Sequence, residues 1–458
     1  MDRLVTLLAA PLDLLLRPGY RIIWAYGLMV LFFALFIKFV FFSKQFLAQK
    51  SALAMVKTQP RLNAEQQAQQ KKNSKRERAD CKRFCRRENQ ESMQLLFYSE
   101  QSSFYKYFQD LIEALLQKSD IVIHYITSDP NDVVFAMDNP RIIPYYVGEN
   151  RLFQLMTLIE ADIVVMTLAD LENNRVKRSR VRKDVEYIYV NHGCTSLNLT
   201  YHAGALDYYD TIFTVNKGQS AEIRQIERLR HMPRKTIVPC GYGMIDSMIA
   251  AYAKMTKPKN EQPVILIAPS WQNDNLLDSC LDTLLDGLLG HGFRVIVRPH
   301  PHYIRRFPIV MDDIMQRYNN RVADDFSFEM DFSSNETIYS ADLIITDWSA
   351  IGYEFSFATN KPALYINTEI KAVNPQWQLI EEVPFEIGAR KTIGRAVEKS
   401  ELDGIDQIVR DLLGNQEIYA ERIRALKANY LYNVGHSGVV GADYILAQLR
   451  KKHSAKYW

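Results

Sequence analysis

Phe293-Arg294-Val295-Ile296-Val297-Arg298-Pro299-His300-Pro301-His302 and Leu343-Ile344-Ile345-Thr346-Asp347-Trp348-Ser349-Ala350 share one design. Each is a short apolar run that breaks abruptly into polar residues. Runs of this length bounded by turn residues read as buried strands. Ligands of open α/β sheets bind at the carboxyl ends of strands. Pro299 and Pro301 fix backbone angles, so Arg298 and His300 lose little freedom on binding an anion. Ser349 reads as the N-cap of a following helix, with its hydroxyl and the free N–H of Ala350 turned to the ligand. Asp347 would repel a phosphate and is expected to orient backbone or a hydroxyl. Together the two stretches predict a diphosphate cradle. The alternative for the first is a surface loop without a ligand.

Outward from this pair, strands alternate with helical stretches. Strands are expected at Leu95–Tyr98, Ile121–Ile126, Asp162–Thr167, Glu186–Val190 and Thr211–Val215. After a polar stretch at 250–262 they resume at Val264–Ala268, Phe293–Val297, Leu343–Thr346 and Ala363–Ile366. Helices are expected over Phe104–Gln117 and Asn275–Leu289, and again over Asn415–Leu449 with a break near Gly435–Gly441. Strands joined by crossover helices imply parallel sheets. Two such halves predict an α/β chain of two Rossmann-like domains facing a cleft, which suits 458 residues.

Three further positions bear on chemistry. His192 follows a strand in Val190-Asn191-His192-Gly193 and reads either as a base at a cleft or as a packed residue. Ser270, in Ala268-Pro269-Ser270-Trp271, either donates to a phosphate or caps a turn beside a packed Trp. Glu354, five residues beyond Ser349, either reaches a donor hydroxyl or faces solvent. His202 is a weaker candidate, read as a loop or packing residue.

Composition narrows the field. With 56 basic and 53 acidic residues the net charge is +3, which argues against nucleic acid as a partner. The five cysteines are too sparse for a disulfide framework, and no His/Cys group has metal-ligand spacing, so neither metal nor cofactor is expected. Ile22–Phe42 is 21 residues with one charge, Lys38, long enough to span a bilayer as a helix. Arg3, Arg17 and Arg21 precede it; Lys44, Lys50, Lys57 and Arg61 follow. A dense cluster then carries nine Lys/Arg between Lys71 and Arg87. This asymmetry predicts a single-pass protein of the inner (plasma) membrane with its body in the cytoplasm. Residues 43–92 read as a polar connector, a solvated helix or loose tether, whose basic cluster either meets anionic lipid headgroups or is merely solvated.

The motifs as a set resemble the CDP-glycerol glycerophosphotransferases of teichoic-acid and capsule synthesis. The residues that carry the resemblance are His192-Gly193, Ala268-Pro269-Ser270-Trp271, Arg298-Pro299-His300-Pro301 and Thr346-Asp347-Trp348-Ser349-Ala350-Ile351 followed by Glu354. The resemblance runs from about 93 to 435. It implies a GT-B-like fold and transfer of glycerol phosphate, or a similar polyol phosphate, from a CDP donor with release of CMP. It further implies His192 as general base, His300 as stabiliser of the phosphates, and Ser349 and Glu354 as donor-side residues. The chain departs from the family pattern at Gln272, Trp348, Ala350 and Glu354, and in the helix Ile22–Phe42.

The resulting division is a cytoplasmic or interfacial segment 1–21, a transmembrane helix 22–42, a basic connector 43–92, an acceptor domain 93–255, a nucleotide-donor domain 263–435 and a C-terminal helix 436–458. The expected acceptor is a membrane-linked glycan, polymer or glycolipid. A UDP-sugar glycosyltransferase and an inactive membrane scaffold are the competing readings.

Overall fold

The structure, a computed structural model, describes residues 64–174, 176–256, 260–321, 324–332 and 334–455. The expected membrane helix 22–42, the segment 1–21 and the start of the connector lie outside the described residues. Among those described, no helix is long and apolar enough to cross a membrane. The chain divides into a unit of residues 1–72, of which only the opening turns of helix Ala64–Phe84 are described, and a unit of residues 73–458.

The larger unit holds two wholly parallel sheets. The first comprises β1 (Leu95–Ser99), β2 (Ile123–Thr127), β3 (Ile142–Tyr146), β4 (Ile163–Met166), β5 (Glu186–Val190), β6 (Thr211–Thr214) and β7 (Thr236–Pro239), in the order β3-β2-β1-β4-β5-β6-β7. The second comprises β8 (Val264–Ile267), β9 (Arg294–Val297), β10 (Phe326–Phe328), β11 (Leu343–Thr346), β12 (Ala363–Asn367) and β13 (Gly394–Glu398), in the order β10-β9-β8-β11-β12-β13. In each the chain starts centrally, winds one way, then returns and winds the other. That is the doubly wound order whose reversal opens a crevice.

The central strands are apolar along their length because helices cover both sheet faces. Every residue of β1, β2, β4, β8 and β11 is buried. One apolar cluster joins the halves. Tyr242, Ile245 and Met248 of the first pack with Tyr353, Phe357 and Phe385 of the second.

Two segments attach differently from the sequence reading. The end of the expected connector is docked rather than solvated. Phe84 is fully buried, its ring edge-on to Tyr145 at 5.2 Å. Asp80 accepts the Tyr146 amide at 3.0 Å and Glu77 that of Gly148 at 3.1 Å. These contacts cover edge strand β3, whose unpaired backbone would otherwise face solvent. The last helix, Ser437–Ala455, returns to the first sheet. Ala442, Ile445, Leu446 and Leu449 join the core of Leu95 and Phe108. Gly438 permits this approach, since a Cβ there would run into the Asp110 backbone.

Candidate functional site

The second sheet reverses direction between β8 and β11, so the crevice lies beyond their carboxyl ends. Ser270, the Arg298–His302 loop, the Asp347–Ala350 turn and the Thr368–Lys371 turn all leave strands at this edge.

Asp347 is the scaffold of the crevice. It is fully buried, and one carboxylate oxygen accepts the amides of Ser270 and Trp348, each at 2.7 Å. The other accepts the Leu276 amide at 3.0 Å. It holds backbone, as its charge suggested, and leaves no oxygen free for a donor. Arg390 braces the same turn. Its guanidinium lies 3.5 Å from the Trp348 ring centre and donates to the Asp347 carbonyl at 2.7 Å.

Three expected donor-side residues have partners or positions that the sequence did not indicate. Arg298 is buried and turned away. It ion-pairs with Glu329 at 2.7 Å and donates to the Ser334 carbonyl at 3.1 Å, pinning the 329–334 loop instead of forking onto a phosphate. The Ser270 hydroxyl is buried and donates to Gln272 at 2.8 Å. Ser349 is not the N-cap of helix Ile351–Thr359. Ala350 holds that position and no side chain caps the first turn, because the turn tightens one residue later than expected.

His300 is the group aimed by this loop. It caps helix Pro301–Arg306, its Nδ1 accepting the His302 amide at 3.0 Å. That acceptor role puts the proton on Nε2. Burial, with Lys371, His302, Arg305 and Lys106 nearby, lowers its pKa to about 3. The ring is therefore a neutral donor.

His192 leaves β5 into an aromatic nest, with the rings of Tyr107 and Phe104 at 5.3 and 5.6 Å. The Tyr201 hydroxyl lies 3.4 Å from Nε2 and that of Tyr189 3.5 Å from Nδ1. Burial, then Lys106, lowers its pKa to about 4, so the imidazole is unprotonated at neutral pH. The Tyr242 hydroxyl sits 2.9 Å from the His192 carbonyl and 3.1 Å from Glu354. Glu354 is thus buried at the junction of the two halves rather than solvent-facing, and burial raises its pKa. His202 is exposed and pairs with Asp170 at 2.8 Å, a loop role.

The sequence reading passed over Lys106, Lys371, Tyr201 and Tyr242. Lys106 opens helix Tyr105–Lys118 and acts on His192, His300 and Glu354 together. Only the position of Lys371, in the turn that follows β12, marked it in the sequence. A cavity of about 310 Å³ lies elsewhere, with Tyr201 in its wall and Leu197, Ile223 and Leu379 around it.

Fold and site together comprise two Rossmann-ordered sheets with a neutral histidine after a strand end of each. The family profile of CDP-glycerol:poly(glycerophosphate) glycerophosphotransferases matches residues 81–374, and the chain belongs to that family. It is a CDP-glycerol glycerophosphotransferase-like enzyme. Among solved structures it is similar to a variant of the wall teichoic acid polymerase TagF soaked with CDPG (14% identity, TM-score 0.52, 85% of this chain and 99% of that one). It is also similar to a putative UDP-N-acetylglucosamine 2-epimerase from Listeria monocytogenes (13% identity, TM-score 0.52, 79% and 96%). These likenesses are of fold. No curated protein sequence matches it significantly.

Proposed function

We propose that the protein transfers glycerol phosphate from CDP-glycerol to a hydroxyl of a membrane-linked glycan or polymer, releasing CMP. His192 Nε2 takes the acceptor proton. The acceptor oxygen bonds to the phosphorus bearing glycerol, the bridging P–O bond breaks, and CMP leaves with the electron pair. The Nε2–H of His300 donates to the phosphate oxygens where charge gathers. The apolar run Ile22–Phe42 would anchor the protein at the cytoplasmic face of the plasma membrane, beside its acceptor.

The observation that carries this reading is the Tyr242 hydroxyl, 2.9 Å from the His192 carbonyl and 3.1 Å from Glu354 of the second half, with Lys106 near both histidines. One ammonium acts on His192 of the first half and on His300 and Glu354 of the second. This supports a base and a phosphate donor that serve one cleft. The test is CMP release by full-length protein in membranes supplied with CDP-glycerol, set against CDP-ribitol and UDP-sugars. His192→Ala is expected to lower turnover ~10²–10⁴-fold with unchanged folding. Full turnover by that variant would remove His192 as base, and turnover of a UDP-sugar alone would remove the donor.

A further inference from the structure

The crevice holds a cation without a counter-charge. Lys371 is half-buried, and among the described residues its ammonium meets only a ring face, 4.8 Å from the centre of Trp271. Its two acidic neighbours are committed elsewhere. Asp347 is saturated by three backbone amides, and Glu386 accepts the Ser196 amide at 2.8 Å. Burial lowers the lysine's pKa, so the folded protein bears the cost of keeping it there. The other face of this corner carries two neutral imidazoles and one guanidinium. Trp271 packs edge-on to His302 at 4.8 Å, and His302 in turn to His300 at 6.5 Å. Arg306 lies 5.5 Å from the same Trp271 ring. A cavity of about 180 Å³ opens here, lined by Trp271, Gln272, Lys371 and Glu369, and no ion pair joins Glu369 to Lys371 among the described residues.

An ammonium with no acid within ion-pairing reach among the described residues, set over a tryptophan that itself packs on His302, lacks one thing, an anion. We propose that Lys371 binds the diphosphate of the donor, providing at the end of β12 the cationic contact that Arg298 is too occupied to make. This rests on the donor being a nucleoside diphosphate derivative. It does not depend on which base or polyol the donor carries. The compact ammonium acts as a point charge on the diphosphate, and the His300 Nε2–H supplies the directional bond.

The test uses the full-length enzyme with CDP, UDP and inorganic pyrophosphate as probes, read by calorimetry and by tryptophan fluorescence, with Trp271→Phe as the optical control. Lys371→Met is expected to bind CDP about 10- to 100-fold more weakly. It should melt, without ligand, at the same or a higher temperature than the wild type, because a cation without a partner has been replaced by an apolar side chain of similar length. Lys371→Arg should keep most of the affinity. Anion binding should change the Trp271 emission in the wild type and not in Lys371→Met.

Equal CDP affinity in Lys371→Met would overturn the proposal, as would a lower melting point of that variant without ligand, which would make the ammonium structural. Failure of the wild type to bind any of the three probes would overturn it as well. If UDP binds in place of CDP with the same dependence on Lys371, the diphosphate contact stands and the glycerol-phosphate donor falls.

Discussion

Replacing Asp347 separates a scaffold from a ligand contact. Its carboxylate is the acceptor for the amides of Ser270, Leu276 and Trp348. In Asp347→Ala all three lose their partner, and each buried donor left unpaired costs about 1–3 kcal/mol. The sum, roughly 3–9 kcal/mol, is comparable with the whole stability of a domain, about 5–15 kcal/mol. That variant should therefore accumulate poorly or unfold in mild urea. Asp347→Asn is gentler. Its carbonyl oxygen still serves Ser270 and Trp348, but its amide faces the Leu276 N–H, donor against donor. The expected loss is about 1–3 kcal/mol, with a fall in melting temperature of roughly 2–4 °C per kcal/mol. Urea unfolding followed by circular dichroism gives the stability, and CDP titration of the folded protein gives the affinity. The reasoning fails if Asp347→Asn keeps its unfolding midpoint while binding CDP more tightly. That pair of results is what removing a negative charge from the ligand's own contact surface would produce.

The pKa shifts give two more expectations. His192 is depressed from 6.5 to about 4, so the acid limb of kcat/KM should fall below pH 5. A limb centred near 6.5 in the pH profile would show that the imidazole is solvated. The same depression favours unfolding in acid. The stabilisation it represents is complete above about 6.5 and is lost as pH falls towards 4, because the unfolded chain takes up the proton first. Glu222 has the opposite sign. Burial raises it from 4.5 to about 8, against the Ser196 hydroxyl and the Leu197 and Asn198 amides, which lower it. The folded state holds the proton more tightly, so this contribution is full below 4.5 and declines as pH rises to 8, by at most about 1.4 kcal/mol per pH unit. Glu222→Gln, which keeps a carbonyl acceptor without titrating, should melt with a flatter dependence on pH between 6 and 8.5. Parallel curves for wild type and variant would exclude a neutral Glu222.

The strands legible in the sequence are the interior ones. β3, β7, β10 and β13 were not read, and they are the four sheet edges. Edge strands face a different selection from central ones: they are short or carry prolines, glycines and charges that discourage further pairing. Accordingly β3 contains Pro144, β7 ends in Pro239, β10 has three residues, and β13 opens with Gly394 and exposes Arg395 and Glu398. The helix expected over Asn275–Leu289 is split at Cys280, with Asn275 as its cap.

In the site, Asp347 was legible because its sign forbids the neighbour the motif implied. Arg298 was misread because Glu329, the partner that claims it, is brought there by the pairing of β10 with β9. Lys106, Tyr201 and Lys371 sit in no motif, and only the folded chain places them near the histidines. The docked end of the connector was missed for a related reason. Phe84 is one apolar residue in a basic run, and its significance lies in the edge it covers.

The return of the last helix bears on how the protein comes into being. Ile445, Leu446 and Leu449 complete a core whose other members, from Leu95 to Val238, leave the ribosome far earlier. About 200 residues separate β7 from the start of that helix. At the usual pace of synthesis this leaves roughly 10–40 s in which the first sheet is finished in sequence but open on one face. A truncation that removes this helix therefore acts on the core of the first sheet, far from it in sequence.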